Sequence, residues 1–262
     1  MARARCVFLV CAALLLSLAS ACLQCDKLIR YLLEDIALSA PLENQIRLNT
    51  VLNGAYKIYE DISRQYQGVI DFTTLYRART QFQSEIAKYL ASNPTDEEEV
   101  FFAIRLLQQG ETILKNHLEE FVRTGLCPNT CGVFNQSVIN CASCGNELHP
   151  CASPVDQRSC GVLQLEAEQD SQVVLNCFLP WHSLVVEEKE YHFSRSSDLS
   201  GEFTAFLVTP QSKVILNQLE MDERGVYRCL LQDGSGTVLT EMYYNLTGDG
   251  LQGKVDPARA LR

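Results

Sequence analysis

CPNTCGVFNQSVINCASCGNELHPC, residues 127–151, places five cysteines in 25 positions, and the pattern of the chain changes across it. Before it the apolar residues recur at helical spacing; after it they alternate as in strands. A C-x-x-C at Cys141 and Cys144 lies inside the stretch, and a second one, Cys22 and Cys25, stands far upstream. Two such pairs can hold a metal, run redox chemistry or act as structural crosslinks, and the compartment decides among these readings.

The N-terminus points to the compartment. Arg3 and Arg5 precede an unbroken apolar run, Val7 to Leu16, and Ala19-Ser20-Ala21 supplies small residues at a cleavage site. The run is too short to span a bilayer, so residues 1–21 are predicted to be a secretory signal, with the mature chain starting at Cys22. Of 12 cysteines, Cys6 and Cys11 leave with the signal. The ten that remain are an even number in an oxidising route, which favours disulfides over zinc thiolates and leaves their connectivity open. Cys22 and Cys25 also open the mature chain, so no strand precedes them to build the βαβ setting of a thioredoxin-like enzyme.

Losing Arg3 and Arg5 moves the formal charge from −10 to −12, and an acidic secreted surface argues against nucleic acid and anionic lipid as partners. His117, His149, His182 and His192 form no H-E-x-x-H, and G-x-S-x-G and phosphate-loop motifs are missing. Neither a cofactor nor a metal is expected, and the chain is expected not to be an enzyme. After the signal no stretch approaches a membrane span, so the chain as written is expected to be secreted.

The predicted fold is α + β and multidomain. Residues 22–126 read as a four-helix bundle, whose short connections suggest antiparallel neighbours. The first helix carries Leu28, Tyr31, Leu32 and Ile36 and ends at Pro41. The second, 42–66, spaces Ile46, Leu48, Leu52, Tyr56, Tyr59 and Ile62. The third starts after Asp71 with Phe72, Leu75, Phe82, Ile86 and Tyr89 on its apolar side. Asn93-Pro94 breaks the chain, Thr95 is predicted to cap the fourth helix with Glu98 as its capping-box partner, and Gly125 to stop it. The acidic run Asp96 to Glu99 reads as a helix start, not a calcium site.

Residues 127–160 lack the apolar content for a core of their own and read as a disulfide-stapled β-hinge. Residues 161–247 alternate as short strands of an immunoglobulin-like β-sandwich, and 248–262 form a polar tail. Glu223-x-Gly225-x-Tyr227-x-Cys229 matches the D-x-G-x-Y-x-C signature, with Cys177 placed 52 positions earlier for the inter-sheet bond. Trp181 follows Cys177 too closely for the usual strand-C tryptophan, leaving Tyr191 or Phe193 to fill that place. Asn135-Gln-Ser137 and Asn245-Leu-Thr247 are N-glycosylation sequons.

Taken together, the opening C-x-x-C, CPNTCG, CASCGNELHPC, the Ser159-Cys160-Gly161 step, CFLPWH and GVYRC resemble the Izumo sperm–egg fusion proteins, in their Ig-bearing form, over residues 22–247. The resemblance implies the pairings Cys22–Cys141, Cys25–Cys144, Cys127–Cys151, Cys131–Cys160 and Cys177–Cys229. It implies a sperm acrosomal or surface protein that mediates sperm–egg recognition, adhesion and fusion. Its hinge would bind an oocyte surface receptor of the Juno type, and other sperm surface proteins are further possible partners. The receptor-facing positions it marks are Asn140, Glu147, His149 and Ala152, where Asn140 stands in place of an aromatic anchor and Ala152 in place of a basic residue. Family members with the Ig domain continue into a membrane helix, whereas a polar tail follows here. The alternatives are a secreted thiol–disulfide oxidoreductase using Cys22 and Cys25, and a general Ig-superfamily adhesion protein.

Overall fold

The computed structural model describes residues 22–92, 94–153 and 158–248; the predicted signal at 1–21 and the tail from 249 onward lie outside the described residues. The chain divides into two compact units. The first holds the residues up to 126 together with 137–149, and the second holds 127–136 and everything from 150 on. Residues 127–160 are therefore shared out between the two units.

In the first unit, a 3₁₀ turn over Cys22–Cys25 leads into α1 (Lys27–Ser39). Asp26 caps α1, its Oδ1 accepting the N–H groups of Leu28 at 3.0 Å and Ile29 at 3.2 Å. Pro41 precedes α2 (Leu42–Gln65). After Gln67 and Gly68, both at positive φ, comes a two-residue strand β1 (Val69–Ile70). Asp71 then caps α3 (Phe72–Ser92) by accepting the Thr74 N–H at 2.8 Å. The last helix, α4 (Glu99–Glu120), ends in a π-type turn, Phe121–Gly125.

Two features of the helices differ from the sequence reading. Thr95 does not cap α4 through a backbone bond. Its hydroxyl meets the Glu98 carboxylate at 2.9 Å, its carbonyl takes the N–H groups of Glu98 and Glu99, and the helix begins a turn later. The buried stripe of α1 is Ile29, Leu33, Ile36 and Ala37, while Leu28 is exposed and Tyr31 is 67% exposed. Both sets keep helical spacing, and the bonds that Asp26 and the flanking cysteines make set the helix rotation. Ile46 and Phe72 also face outward, at 70 and 72% exposure, although both fit the apolar spacing of their helices.

The helices share one apolar core, with α4 packed against α2 and α3, and α1 against α2. Gly110 lets α4 come close: a methyl there would stand 2.4 Å from the Tyr59 hydroxyl and 2.8 Å from the Phe82 ring. That hydroxyl donates to the Leu107 carbonyl at 2.8 Å, so the one polar atom at this contact is satisfied.

The second unit is a sandwich. Strands β4 (Ser159–Glu166), β10 (Val238–Thr247), β9 (Gly225–Asp233), β6 (Lys189–Ser196) and β7 (Thr204–Thr209) lie in that order in one sheet. β4 runs parallel to β10 and the other pairs are antiparallel. β5 (Val173–Asn176) and β8 (Lys213–Leu216) pair in a second sheet. Leu175, Tyr191, Phe193, Tyr227, Leu231 and Leu246 fill the core around the Cys177–Cys229 bond. The Tyr227 hydroxyl donates back to the Glu223 carbonyl at 2.7 Å, which is the tyrosine corner. Gly225 precedes it at φ 137°, and a Cβ there would lie 2.5 Å from the Ser196 carbonyl.

Trp181 sits in a 3₁₀ turn, Pro180–Leu184, and stacks on Phe134 with ring centroids 4.8 Å apart. Beside it His182 is buried, with Nδ1 accepting the Leu179 N–H at 3.3 Å and lying 3.1 Å from the Tyr191 hydroxyl. Lys189 Nζ donates to the carbonyls of His182 and Val185 at 2.7 and 3.0 Å. Burial first, and then the Lys189 charge, push the imidazole down from 6.5 to about 4. The unfolded chain therefore binds more protons than the folded one between those values, so stability is full above pH 6.5 and falls as pH drops through the window. The slope approaches about 1.4 kcal/mol per pH unit. Trp181 is the chain's one tryptophan, so its fluorescence reports on the sandwich alone. Thermal scans should show its melting temperature falling from pH 6.5 to 4, and His182→Gln should remove most of that fall.

Candidate functional site

In the first unit Cys22 is bonded to Cys141 and Cys25 to Cys144; in the second, Cys127 is bonded to Cys151 and Cys131 to Cys160. With Cys177–Cys229, each bond joins residues of the same unit. The first two form a double staple between the turn that opens α1 and the loop after β2 (Val133–Asn140). Cys22 and Cys141 are buried in the helical core, while Cys25 and Cys144 are half-buried. Cys22 and Cys144 hold left-handed backbone, φ 40° and 52°, a conformation that persists in non-glycine residues only where the surroundings over-determine it.

Backbone bonds finish the attachment. Asn140 and Ile139 pair antiparallel with Val69 and Ile70 of β1, and the Cys141 N–H donates to the Gly68 carbonyl at 2.8 Å. Val138 packs with Val69 and Phe121 in a small cluster of its own.

Asn140 organises the loop that follows. Its Oδ1 accepts the N–H groups of Ala142 at 2.8 Å and Ser143 at 3.0 Å, and its Nδ2 donates to Glu147 Oε2 at 3.1 Å. Its main chain closes the same turn, taking the Cys144 N–H at 2.8 Å and giving its own N–H to Gly145 at 2.9 Å. An amide can make these bonds and an aromatic ring cannot, so Asn140 has a structural use here beyond facing solvent. The structure thus joins two of the marked residues, Asn140 and Glu147, through one hydrogen bond. His149, half-buried, follows two places along β3 (Asn146–Ala152), on the face that Glu147 uses. Ala152 is exposed and belongs to the other unit.

Sequence reasoning did not single out Leu148, which is 57% exposed between Glu147 and His149. It also placed Phe72 on the buried side of its helix, whereas Phe72 is 72% exposed, as is half of Tyr76 one turn on. These aromatics are tied to the stapled loop by short links. Phe72 follows β1, which pairs with Asn140; Arg79 stacks over Tyr76 at 4.6 Å and meets Asp26, next to Cys25, at 3.2 Å. The only cue in the sequence was position, since Leu148 lies between two marked residues and Phe72 directly after a cap.

Of the sequon asparagines, Asn135 is exposed on β2, and Asn245 lies on β10 with its Nδ2 donating to Gln164 Oε1 at 2.9 Å. Among the described residues no helix is long and apolar enough to cross a membrane.

A four-helix bundle carrying a disulfide-fixed surface loop, with an immunoglobulin-type sandwich as a second unit, defines the class. Sequence comparison gives the family. The Izumo sperm-egg fusion N-terminal domain matches residues 21–160 and the Izumo-like immunoglobulin domain matches 163–249. The chain is 42% identical to Izumo sperm-egg fusion protein 1 of Danio rerio over 86% of its own length and 69% of that protein. It is 26% identical to the protein of the same name from Mus musculus, over 86% of this chain and 58% of that one. Among solved structures, the NK cell receptor Nkp44 matches 34% of this chain and 98% of its own at 10% identity and a TM-score of 0.29, too low to carry any argument. The chain belongs to the Izumo sperm-egg fusion protein family.

The staple has a measurable signature. One bridge closes a loop of 119 residues, worth about 4–5 kcal/mol in the chain-entropy model. With that bridge in place, the other closes a ring of only a few residues. Replacing either pair by serine should therefore lower bundle stability far less than half as much as replacing both, as read from denaturant midpoints of the helical circular-dichroism signal.

Proposed function

We propose that this chain works in recognition and adhesion between sperm and egg, as a binding protein and not an enzyme. In this reading the stapled stretch 137–149 presents its surface to a protein on the oocyte. The observation that carries the proposal is the loop at Asn140, held by two disulfides, three side-chain hydrogen bonds and a strand pairing, with Leu148 exposed beside it. A surface ordered in advance loses little entropy when a partner docks. The cysteines of both C-x-x-C pairs are bonded to one another, which supports a structural role for them over thiol exchange.

The receptor would be of the kind that the family's Juno-type partner represents, but it would not read an aromatic at position 140. Glu147 and His149 supply polar contacts, and Phe72 and Leu148 apolar ones, Leu148 standing on the opposite face of the edge strand β3 so that the receptor would close around that edge. Ala152, on the second unit, offers a small exposed surface without charge. Residues 22–126, 127–160 and 161–247 are proposed as bundle, hinge and Ig-like domain. The sperm acrosome or surface is the proposed site of action, where other sperm proteins can join the contact. Glycans are proposed on Asn135, which faces solvent, and on Asn245.

Binding of the recombinant chain to oocytes tests this. Leu148→Asp and Phe72→Asp should each weaken binding about tenfold or more, as loss of a central apolar contact does. Phe101→Asp should leave binding unchanged, because Phe101 is 60% exposed but lies in the first turn of α4, at the far end of α3 from Phe72. Failure of the wild-type chain to bind, or equal loss in the Phe101 variant, would contradict the proposal.

A further inference from the structure

Near the end of β10, Glu241, Tyr243, Asn245 and Thr247 alternate with the buried Met242, Tyr244 and Leu246, so they share the outer face of the five-stranded sheet. The register with β9 is unbroken from Thr240 to Leu246, which puts Tyr243 on the same face as Asn245, about 7 Å back along the strand. Tyr243 is half-buried, and Phe203, also half-buried, meets it edge to face with ring centroids 5.9 Å apart. The Arg228 guanidinium lies 4.3 Å over the Phe203 ring, and its Nε donates to Ser194 Oγ at 3.2 Å. The Tyr243 hydroxyl donates to Glu241 Oε2 at 3.1 Å. Two aromatic rings are thus pinned on the outer face by a stacked guanidinium and two hydrogen bonds, on the strand that carries the Asn245 sequon. Asn245 is held as well, its Nδ2 donating to Gln164 Oε1. That bond uses one of the two amide hydrogens, so replacing the other by a sugar leaves it in place.

We propose that a glycan on Asn245 is a built part of the sandwich, its first N-acetylglucosamine lying back on the Tyr243 and Phe203 rings. This seat presupposes the glycan proposed above for Asn245 and adds what holds it. A pyranose ring turns a face of C–H groups outward, and that face buries apolar area on an aromatic ring. The rings are ordered before the sugar arrives, so little entropy is lost when it settles. Transfer forms a bond from Asn245 Nδ2 to the anomeric carbon of a lipid-pyrophosphate-linked oligosaccharide. The lipid pyrophosphate leaves from that carbon, and the amide gives up one proton. Once seated, the sugar withdraws this part of the outer face from protein contact. Asn135, on the other sequon, shares its face of β2 with Val133 and Ser137, neither of them aromatic.

The test uses the oxidised chain secreted from eukaryotic cells and trimmed by an endoglycosidase that leaves one N-acetylglucosamine on each occupied site. Peptide mass spectrometry reports occupancy, and Trp181 fluorescence reports melting of the sandwich. An Asn135→Gln chain, with its sugar on Asn245 only, should melt about 4 °C or more above the same chain with Asn245→Gln added. In a Tyr243→Ala background that gain should fall to less than half, whatever the substitution does to the melting temperature itself, because each comparison stays within one background. Phe203→Ala, which lies in the loop before β7, should cut the gain in the same way. A sugar on Asn135 should give no gain. A bare Asn245 would overturn the glycan and its seat together. An occupied Asn245 without the gain, a gain that survives both ring variants, or an equal gain from Asn135 would overturn the seat alone.

Discussion

The pair of disulfides Cys22–Cys141 and Cys25–Cys144 is the constraint on which the first unit depends. Residues 137–149 have too few apolar side chains to hold themselves to the helices by burial alone. Val138 and Cys141 are the buried hydrophobic residues among them. The staple removes the freedom of a very long loop, and the strand pairing of Asn140 and Ile139 with β1 then needs little further ordering. Once the main chain is fixed, one amide side chain suffices to shape the surface, because Asn140 spends its acceptor on the loop and its donor on Glu147. Sulfur, backbone and side chain thus act in sequence, each lowering the entropic cost left to the next.

The sandwich solves a different problem with one disulfide. Its core residues alternate along the strands, and Cys177–Cys229 links regions that apolar packing already brings together. What it tolerates is a buried histidine. His182 is held neutral among Trp181, Tyr191 and two carbonyls occupied by Lys189, an arrangement stable at neutral pH and weakened in acid. The helices lean more on close approach, as at Gly110, where a single methyl would collide with the Tyr59 hydroxyl and the Phe82 ring.

Much of this was legible in the sequence, and the reasons are physical. Periods of 3.6 and 2 distinguish helix from strand, and Glu223-x-Gly225-x-Tyr227-x-Cys229 is legible because each residue meets a local demand: positive φ, a corner hydrogen bond, a core sulfur. Helix rotation was less legible. Of the residues read as inward in α1, Ile36 is buried and Leu32 packs partly buried on the core, while Leu28 and Tyr31 face solvent and Ile29 and Leu33, one place on, are buried instead. Phe72 joined the apolar pattern, yet it is 72% exposed at the first position of α3. The role of Asn140 was hidden for another reason. Its partners are backbone groups two and three residues on and a carboxylate seven residues on, and these converge only when the turn has formed.

All five cysteines of the stretch that opens with CPNTCG are disulfide-bonded, and these crosslinks set the shape of its surface. Sulfur, more than packing, holds residues 139–144 in place. Amide hydrogen exchange on the oxidised chain, and on a variant with Cys22, Cys25, Cys141 and Cys144 replaced by serine, tests it most directly. The amides of Asn140, Cys141 and Cys144 should be slow in the oxidised chain, and the corresponding amides should exchange freely in the variant while the centre of α4 stays protected. Equal protection in both proteins, or free exchange in the oxidised one, would contradict it.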